Sequence, residues 1–221
     1  MVTPFYFLFT KKHYDLKEKK KPKKKQIAFE IKYSIVSSLL FTLSALLIAI
    51  LWKLGYTRIY LKINEYPVWY LFLSLFIYSL CHEIYFYWTH VWMHNPNIFK
   101  KIHAIHHYSK QVTPWASFSF HPFETLIHAI FIPIMILLIP IHPVALIGYL
   151  VFMTITAISN HLGVELIPFS IVKRHFISGD HHRAHHERFN CNYGLYYCFM
   201  DRWLQTESKD NNSVKQGEVN E

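Results

Sequence analysis

Four stretches of this chain leave little choice of environment. IKYSIVSSLLFTLSALLIAILWKLGY (about 31–56), VWYLFLSLFIYSLCHEIYFYWTHVW (about 68–92), FETLIHAIFIPIMILLIPI (about 123–141) and PVALIGYLVFMTITAISNHLG (about 143–163) stand out as apolar. Each is close to the roughly 20 residues that carry a helix across ~30 Å of hydrocarbon. Of the 221 residues, 52% are hydrophobic and 18% aromatic. One soluble domain of this length does not need that much apolar surface. The expected fold is an all-α integral membrane protein with about four transmembrane helices. The first segment is too long for a buried core helix, and it stands too far behind a polar leader to be a cleaved signal peptide. Pro133 and Pro140 predict a third segment that is kinked or stops short of a full crossing.

The formal charge is +9, but it is unevenly placed. KKHYDLKEKKKPKKK (11–25) holds nine lysines against Asp15 and Glu18, which leaves only +2 for the rest. A nucleic-acid binder needs its basic residues on the folded face, so the composition argues for no nucleic-acid partner. A lysine cluster beside an apolar helix instead suits anionic headgroups and places the N-terminus on the cytoplasmic side. From that start, 57–67 is the outer loop, while 93–122 and everything after about 163 are cytoplasmic. The expected organisation is a basic cytosolic segment (1–30), a membrane domain (31–204) and a polar, disordered tail (205–221). Three cysteines, Cys81, Cys191 and Cys198, form no CxxC pair and indicate no disulfide framework.

Histidine is the anomaly: sixteen are present against fourteen acids. HVWMH sets His90 and His94 four apart, on one face of a helix. HAIHH sets His103, His106 and His107 at i, i+3 and i+4, and HRAHH repeats that spacing with His182, His185 and His186. The topology above puts all eight at one membrane face, with His161 as a ninth candidate at the inner end of the fourth segment. Eight or more imidazoles exceed the four to six ligands of one ion and suit two neighbouring ions, for which iron, copper, zinc and nickel are all compatible. Glu165 lies four residues past His161. His181 stands beside His182 as an alternative ligand or hydrogen-bond partner. His121 is either a supporting residue of the site or a helix cap ahead of Pro122. His128 and His142 face lipid or the outer side on this map, and His13, His82 and His175 are read as structural. Two redox metals beside a membrane suit O₂ activation against a lipid C–H bond. No triad, GxSxG, GxGxxG or Walker loop is present, so no catalytic residue is expected beyond the metal centre.

HEIYFYWTHVWMHNPNIFKKIHAIHH, TPWASFSFHPFE and HHRAHHERFNCNYG together resemble the fatty acid hydroxylase/sterol desaturase superfamily over roughly residues 75–206. The resemblance implies a cytosolic helical cap over membrane helices and a dinuclear, di-iron centre on the cytosolic face, with zinc or another metal possible after purification. It implies O₂ as co-substrate and hydroxylation or desaturation of a fatty-acyl or sterol-type membrane lipid. Electrons would come from a separate donor such as cytochrome b5, or ferredoxin with its reductase, since the chain carries no HPGG haem motif. The implied ligands are His90, His94, His103, His106, His107, His182, His185 and His186, with His161. Glu83 takes the acidic position seven residues before the first box. Asn192, Tyr193 and Gly194 match the NYG after the last box, and Asp201 and Thr206 match the ends of WDxxxGT. Val91, Met200 and Gln205 depart from the usual Arg, Trp and Gly. The membrane would be endoplasmic reticulum in a eukaryote or inner membrane in a bacterium.

Two other classes fit imidazole clusters. A metal transporter or sensor would string its ligands along a path across the membrane. A membrane zinc hydrolase would need fewer ligands, an open position and a carboxylate base. Tyr85, Phe86, Tyr87, Trp88 and Trp92 are expected at the interface, above a lipid tunnel or as an ordinary aromatic belt.

Overall fold

The computed structural model describes residues 3, 6, 8, 22–162 and 170–208. Most of the basic segment (11–21), Glu165 and positions 209–221 of the tail lie outside the described residues. In chain order the helices are α1 (Lys24–Lys53), α2 (Trp69–Met93), α3 (Pro96–Phe99), α4 (Pro122–Ala129), α5 (Phe131–Leu138), α6 (Pro143–Asn160), α7 (Ser170–Lys173), α8 (Gly179–Arg188) and α9 (Phe199–Trp203). Two 3₁₀ turns, His103–Tyr108 and Pro114–Phe118, lie between α3 and α4. Among the described residues there is no strand, only two isolated bridges.

Helices α1, α2 and α6 are each long and apolar enough to cross a membrane. Their outward faces carry apolar stripes at helical spacing: Ile35, Leu39, Leu43, Leu46 and Ile50 on α1, and Val144, Ile147, Val151 and Ile155 on α6, all exposed. Such continuous apolar faces match a lipid environment. The inward side of α1 is different. Gln26, Glu30, Ser34, Ser37 and Ser44 form a polar row that bonds to the rest of the fold. Gln26 Nε2 donates to the Glu30 carboxylate (2.7 Å) and to Gln111 O (2.8 Å), and Thr113 Oγ1 donates to Glu30 (2.6 Å). Ser34 Oγ donates to Trp115 O (2.7 Å), and Ser37 bonds Thr125 (2.9 Å). Polar contacts of this kind hold helices together where lipid is as apolar as leucine.

The third apolar segment breaks, as its prolines require. Pro133 has no N–H for the carbonyl four residues back, Ala129, and the helix parts at Ile130 into α4 and α5. Ser44 Oγ from α1 supplies that carbonyl with a donor at 2.9 Å. Pro140 does the same to Ile136, whose carbonyl accepts Arg58 N at 2.7 Å instead. Ile59 then pairs with Ile141, and Tyr60 N donates to Ile141 O. The α5–α6 connection therefore lies level with the α1–α2 loop, at the end opposite the histidines. His142 Nδ1 caps α6 by accepting Val144 N, and its Nε2 lies 3.2 Å from Leu61 O, a structural role at that end. The core between α2, α5 and α6 is Tyr78, Phe131, Ile132, Met135, Ile136, Ile141, Ala145 and Tyr149.

Ser44→Ala strands the Ala129 carbonyl between two apolar helices. The expected cost is about 1–3 kcal/mol, read as a lower thermal midpoint in detergent than wild type, with no change in helix content.

Candidate metal centre

The last turn of α2 presents His90, and its C-cap is His94. Asn95 then caps α3 through Asn97 N, with Pro96 at the first helical position, and turns the chain back over the helix end. The second box follows as a 3₁₀ turn rather than an α-helix. The third box lies on α8, which Ser178 caps and Phe189 ends in the left-handed conformation (φ 67°).

The nine candidate histidines come together in two groups. One is His90, His94, His103, His107 and His185; the other is His106, His161, His182 and His186. Within each group the facing atoms are Nε2. In the first, separations are 3.1 Å (His90–His103), 3.1 Å (His103–His107), 3.2 Å (His94–His107), 3.2 Å (His94–His185) and 3.1 Å (His107–His185). In the second they are 3.4 Å (His106–His161), 3.0 Å (His161–His182) and 3.1 Å (His182–His186). An ion with bonds of about 2.0–2.1 Å to imidazole nitrogen separates neighbouring donors by about 3.0 Å in octahedral and about 3.4 Å in tetrahedral geometry. The donor sets therefore fit one ion each.

On four of the nine rings the opposite nitrogen explains the orientation. Nδ1 of His90 bonds Tyr193 O (2.8 Å), that of His161 bonds Ala157 O (2.8 Å), and that of His185 bonds Cys191 O (2.7 Å). Nδ1 of His103 bonds the Glu124 carboxylate at 2.7 Å. Each acceptor receives a hydrogen bond from Nδ1–H, which keeps the proton on Nδ1 and leaves the Nε2 lone pair aimed inward, the tautomer a metal needs. Burial, followed by the neighbouring imidazoles, holds His106, His107, His182 and His186 well below the usual histidine range. They are neutral, and so competent to bind metal.

Two buried carboxylates hold the loop that supplies two of these carbonyls, those of Cys191 and Tyr193. Glu83 accepts Leu195 N, Tyr196 N (2.7 Å) and Tyr197 N. Asp201 accepts Tyr193 N (2.7 Å), Gly194 N (2.9 Å) and Thr206 Oγ1 (2.8 Å). A Cβ on Gly194 would meet Tyr197 O at 2.8 Å and Glu83 Oε1 at 2.9 Å, so the loop closes only on glycine here. Asn192 ties the same loop down, donating to His181 O (2.9 Å) and accepting Ser208 N (2.8 Å). Gln205 sits at φ 58°, where the related pattern has glycine.

The remaining candidates divide. His181 stays outside both groups, with Nε2 3.7 Å from Asp201. It approaches Cys198 and Glu207 within 4.8 Å, but Arg202 already holds the Glu207 carboxylate at 2.9 and 3.2 Å. His121 caps α4 by accepting Phe123 N, and its ring stacks on Phe123. His128 does not face lipid as the hydropathy map had it: helix α4 turns it inward, between Phe86 and Phe120. Glu124 escaped the sequence reading, although an acid inside an apolar segment was a usable signal. It is fully buried, and besides His103 it lies 3.8 Å from His128.

An apolar cavity of about 450 Å³ opens onto both groups. His90 and His103 of one group and His106, His161 and His182 of the other line it together with Phe41, Phe86, Phe118, Phe131 and Leu150. Along α6 its lining runs from His161 to Leu146, about 22 Å of helix. Of the expected interface aromatics, Phe86 lines this cavity, Tyr87 is buried, and Trp88 and Trp92 stand on the exposed outer face.

The family model described as fatty acid hydroxylase matches residues 75–206. The chain is similar to lathosterol oxidase of Mus musculus, 31% identical over 182 residues, covering 81% of this chain and 60% of that protein. It is similar to a Delta(7)-sterol 5(6)-desaturase of Gibberella zeae, 29% identical over 199 residues, covering 90% and 60%. A putative Delta(7)-sterol-C5(6)-desaturase of Arabidopsis thaliana is 26% identical over 204 residues, covering 90% and 71%. The chain thus spans about 60% of the length of the first two. No solved structure matches it.

Glu124→Ala removes the acceptor that orients His103. Metal affinity is expected to fall about 10–100-fold, measured by competition with a chromophoric chelator. The neutral histidines also set a pH dependence. Their folded pKa lies below the unfolded value of about 6.5, so the unfolded chain binds more protons in acid. Their contribution to stability is full above that pH and is lost as pH falls below it. The metal-free protein should show a flat thermal midpoint above about pH 7.5 and a progressive fall below about pH 6.5; an acid-insensitive midpoint would contradict buried neutral imidazoles.

Proposed function

The chain belongs to the fatty acid hydroxylase family, and from that premise we propose that it is an O₂-dependent lipid oxidoreductase of the membrane, working at two iron ions held by the nine histidines. One observation carries the reading: imidazoles of both groups line a single apolar cavity long enough for a lipid. The similarity to lathosterol oxidase and to a Delta(7)-sterol 5(6)-desaturase favours desaturation of a sterol-type lipid, with hydroxylation of a fatty-acyl chain as the second outcome. Desaturation takes two hydrogens from adjacent carbons; with two electrons and two protons more, O₂ becomes two waters. Hydroxylation takes the same two electrons and two protons, and gives one alcohol and one water.

Iron bound at these imidazoles supplies O₂ activation. The protein does the rest. The Nδ1 acceptors keep Nε2 of His90, His103, His161 and His185 directed inward, Glu83 and Asp201 fix the loop that carries two of those acceptors, and the aromatic lining excludes water while seating the hydrocarbon. A fourth crossing by the α4–α5 pair is supported by its far end, which meets the α1–α2 loop. The lysine run at 11–25 supports a cytosolic side for the metal centre. Lys100, Lys101 and Lys110 are exposed beside the second box and suit docking of an acidic electron carrier such as cytochrome b5 or ferredoxin. The candidate ligands gather at one end of the helices rather than along a path across them, which disfavours a transporter.

His106→Ala tests the reading. Detergent-purified protein is expected to hold two metal ions per chain, with loss of at least one in the variant. Lipidomics of an expressing strain should show an oxidised lipid that disappears in the variant at equal protein level. Turnover in metal-stripped protein, or product formed without O₂ and reductant, would sink it.

A further inference from the structure

Two histidines of the cavity wall, His82 and His128, belong to neither metal group, and His82 is the more deeply buried. His82 lies on α2 eight residues before His90, about 12 Å along the helix, and is 5% exposed. Its ring stacks on Phe131 (centroids 4.3 Å, 16°). Nδ1 meets two hydroxyls, Tyr149 at 2.6 Å and Tyr196 at 2.9 Å. Nε2 makes no hydrogen bond among the described residues, yet it is not sealed among the buried orphan atoms, and His82 lines the cavity. A polar nitrogen kept in hydrocarbon surroundings with one open valence asks for a partner.

We propose that His82 Nε2 hydrogen-bonds a hydroxyl of the lipid substrate and so fixes how far the chain or ring system enters the cavity. This rests on the lipid-oxidoreductase reading above. The chemistry selects a hydroxyl. If a tyrosine donates to Nδ1, Nε2 carries the proton and donates; if Nδ1 donates to a tyrosine, Nε2 accepts. A hydroxyl answers either tautomer, whereas a carbonyl or ether oxygen answers only the first. The tyrosine pair holds the ring, and stacking on Phe131 fixes its plane, so the open nitrogen is pre-set in direction. The substrate is therefore a hydroxylated lipid, a sterol or a long-chain alcohol, whose hydroxyl lies deeper in the membrane than the carbon oxidised. His82 is a positioning residue, because it sits away from the metal groups.

The test is binding by metal-loaded, detergent-purified full chain, using matched pairs of probes: cholesterol with 5α-cholestane, and 1-octadecanol with octadecane. Wild type should bind the hydroxylated member of at least one pair about 10-fold or more tightly than its hydrocarbon. His82→Asn keeps an acceptor near the Nδ1 position for the tyrosines but lacks the reach of Nε2. It should bind both members alike, at the hydrocarbon's affinity, with metal content unchanged. His82→Gln, which extends a polar group to the Nε2 position, should restore part of the preference. Equal binding of both members by wild type, or a preference that survives His82→Asn, overturns the proposal while leaving the lipid reading in place. Binding of no probe from either pair by metal-loaded protein overturns the proposal together with the lipid reading.

Discussion

Nine imidazoles can share one buried volume only while they stay uncharged. Protonation of one would set a cation among close neighbours with little water to screen it. The fold meets this condition by controlling the far side of four of the rings and by burying the far nitrogens of His106, His107 and His186. Backbone carbonyls of Ala157, Cys191 and Tyr193 and the carboxylate of Glu124 accept hydrogen bonds from Nδ1–H. Those acceptors are themselves held: the 193–197 loop hangs from Glu83 and Asp201, and Glu124 from the α4 helix that His121 caps. The order of dependence runs outward, from Nε2 to Nδ1 to a carbonyl to a carboxylate on another helix.

Hydrocarbon imposes the second condition, that no backbone group go unpaired. Pro133 and Pro140 each free a carbonyl in the third apolar segment, and the chain answers both from elsewhere, with Ser44 of α1 and the amide of Arg58. The prolines are thus the reason α5 and the α1–α2 loop are fastened where they are. The break they cause turns α4 so that Glu124 and His128 face the cavity.

Much of this was legible because hydropathy and spacing are local. The segments at 31–56, 68–92 and 143–163 correspond to α1, α2 and α6, and the three boxes named the histidines that converge. α1 starts earlier than its apolar window, because Gln26 and Glu30 are helical residues whose partners, Gln111 and Thr113, are distant in sequence. His128 was misplaced because hydropathy locates a segment without saying which face looks inward. Glu124 was passed over because its partner, His103, lies 21 residues away. The i, i+3, i+4 spacing announced a shared side but not how that side is divided, and the 3₁₀ form of the second box changes the angles between its rings.

That division has its own consequence. His103 and His107 turn to one group and His106 to the other; His182 and His186 join the second group while His185 joins the first. Neither box belongs to one ion position. A shift of either box by a single residue would misplace donors in both positions at once, so neither can be tuned or discarded alone. An ion in one position would order rings that flank the other. The two positions behave as a single heritable unit, and loss of function in such a chain would come as one step rather than two.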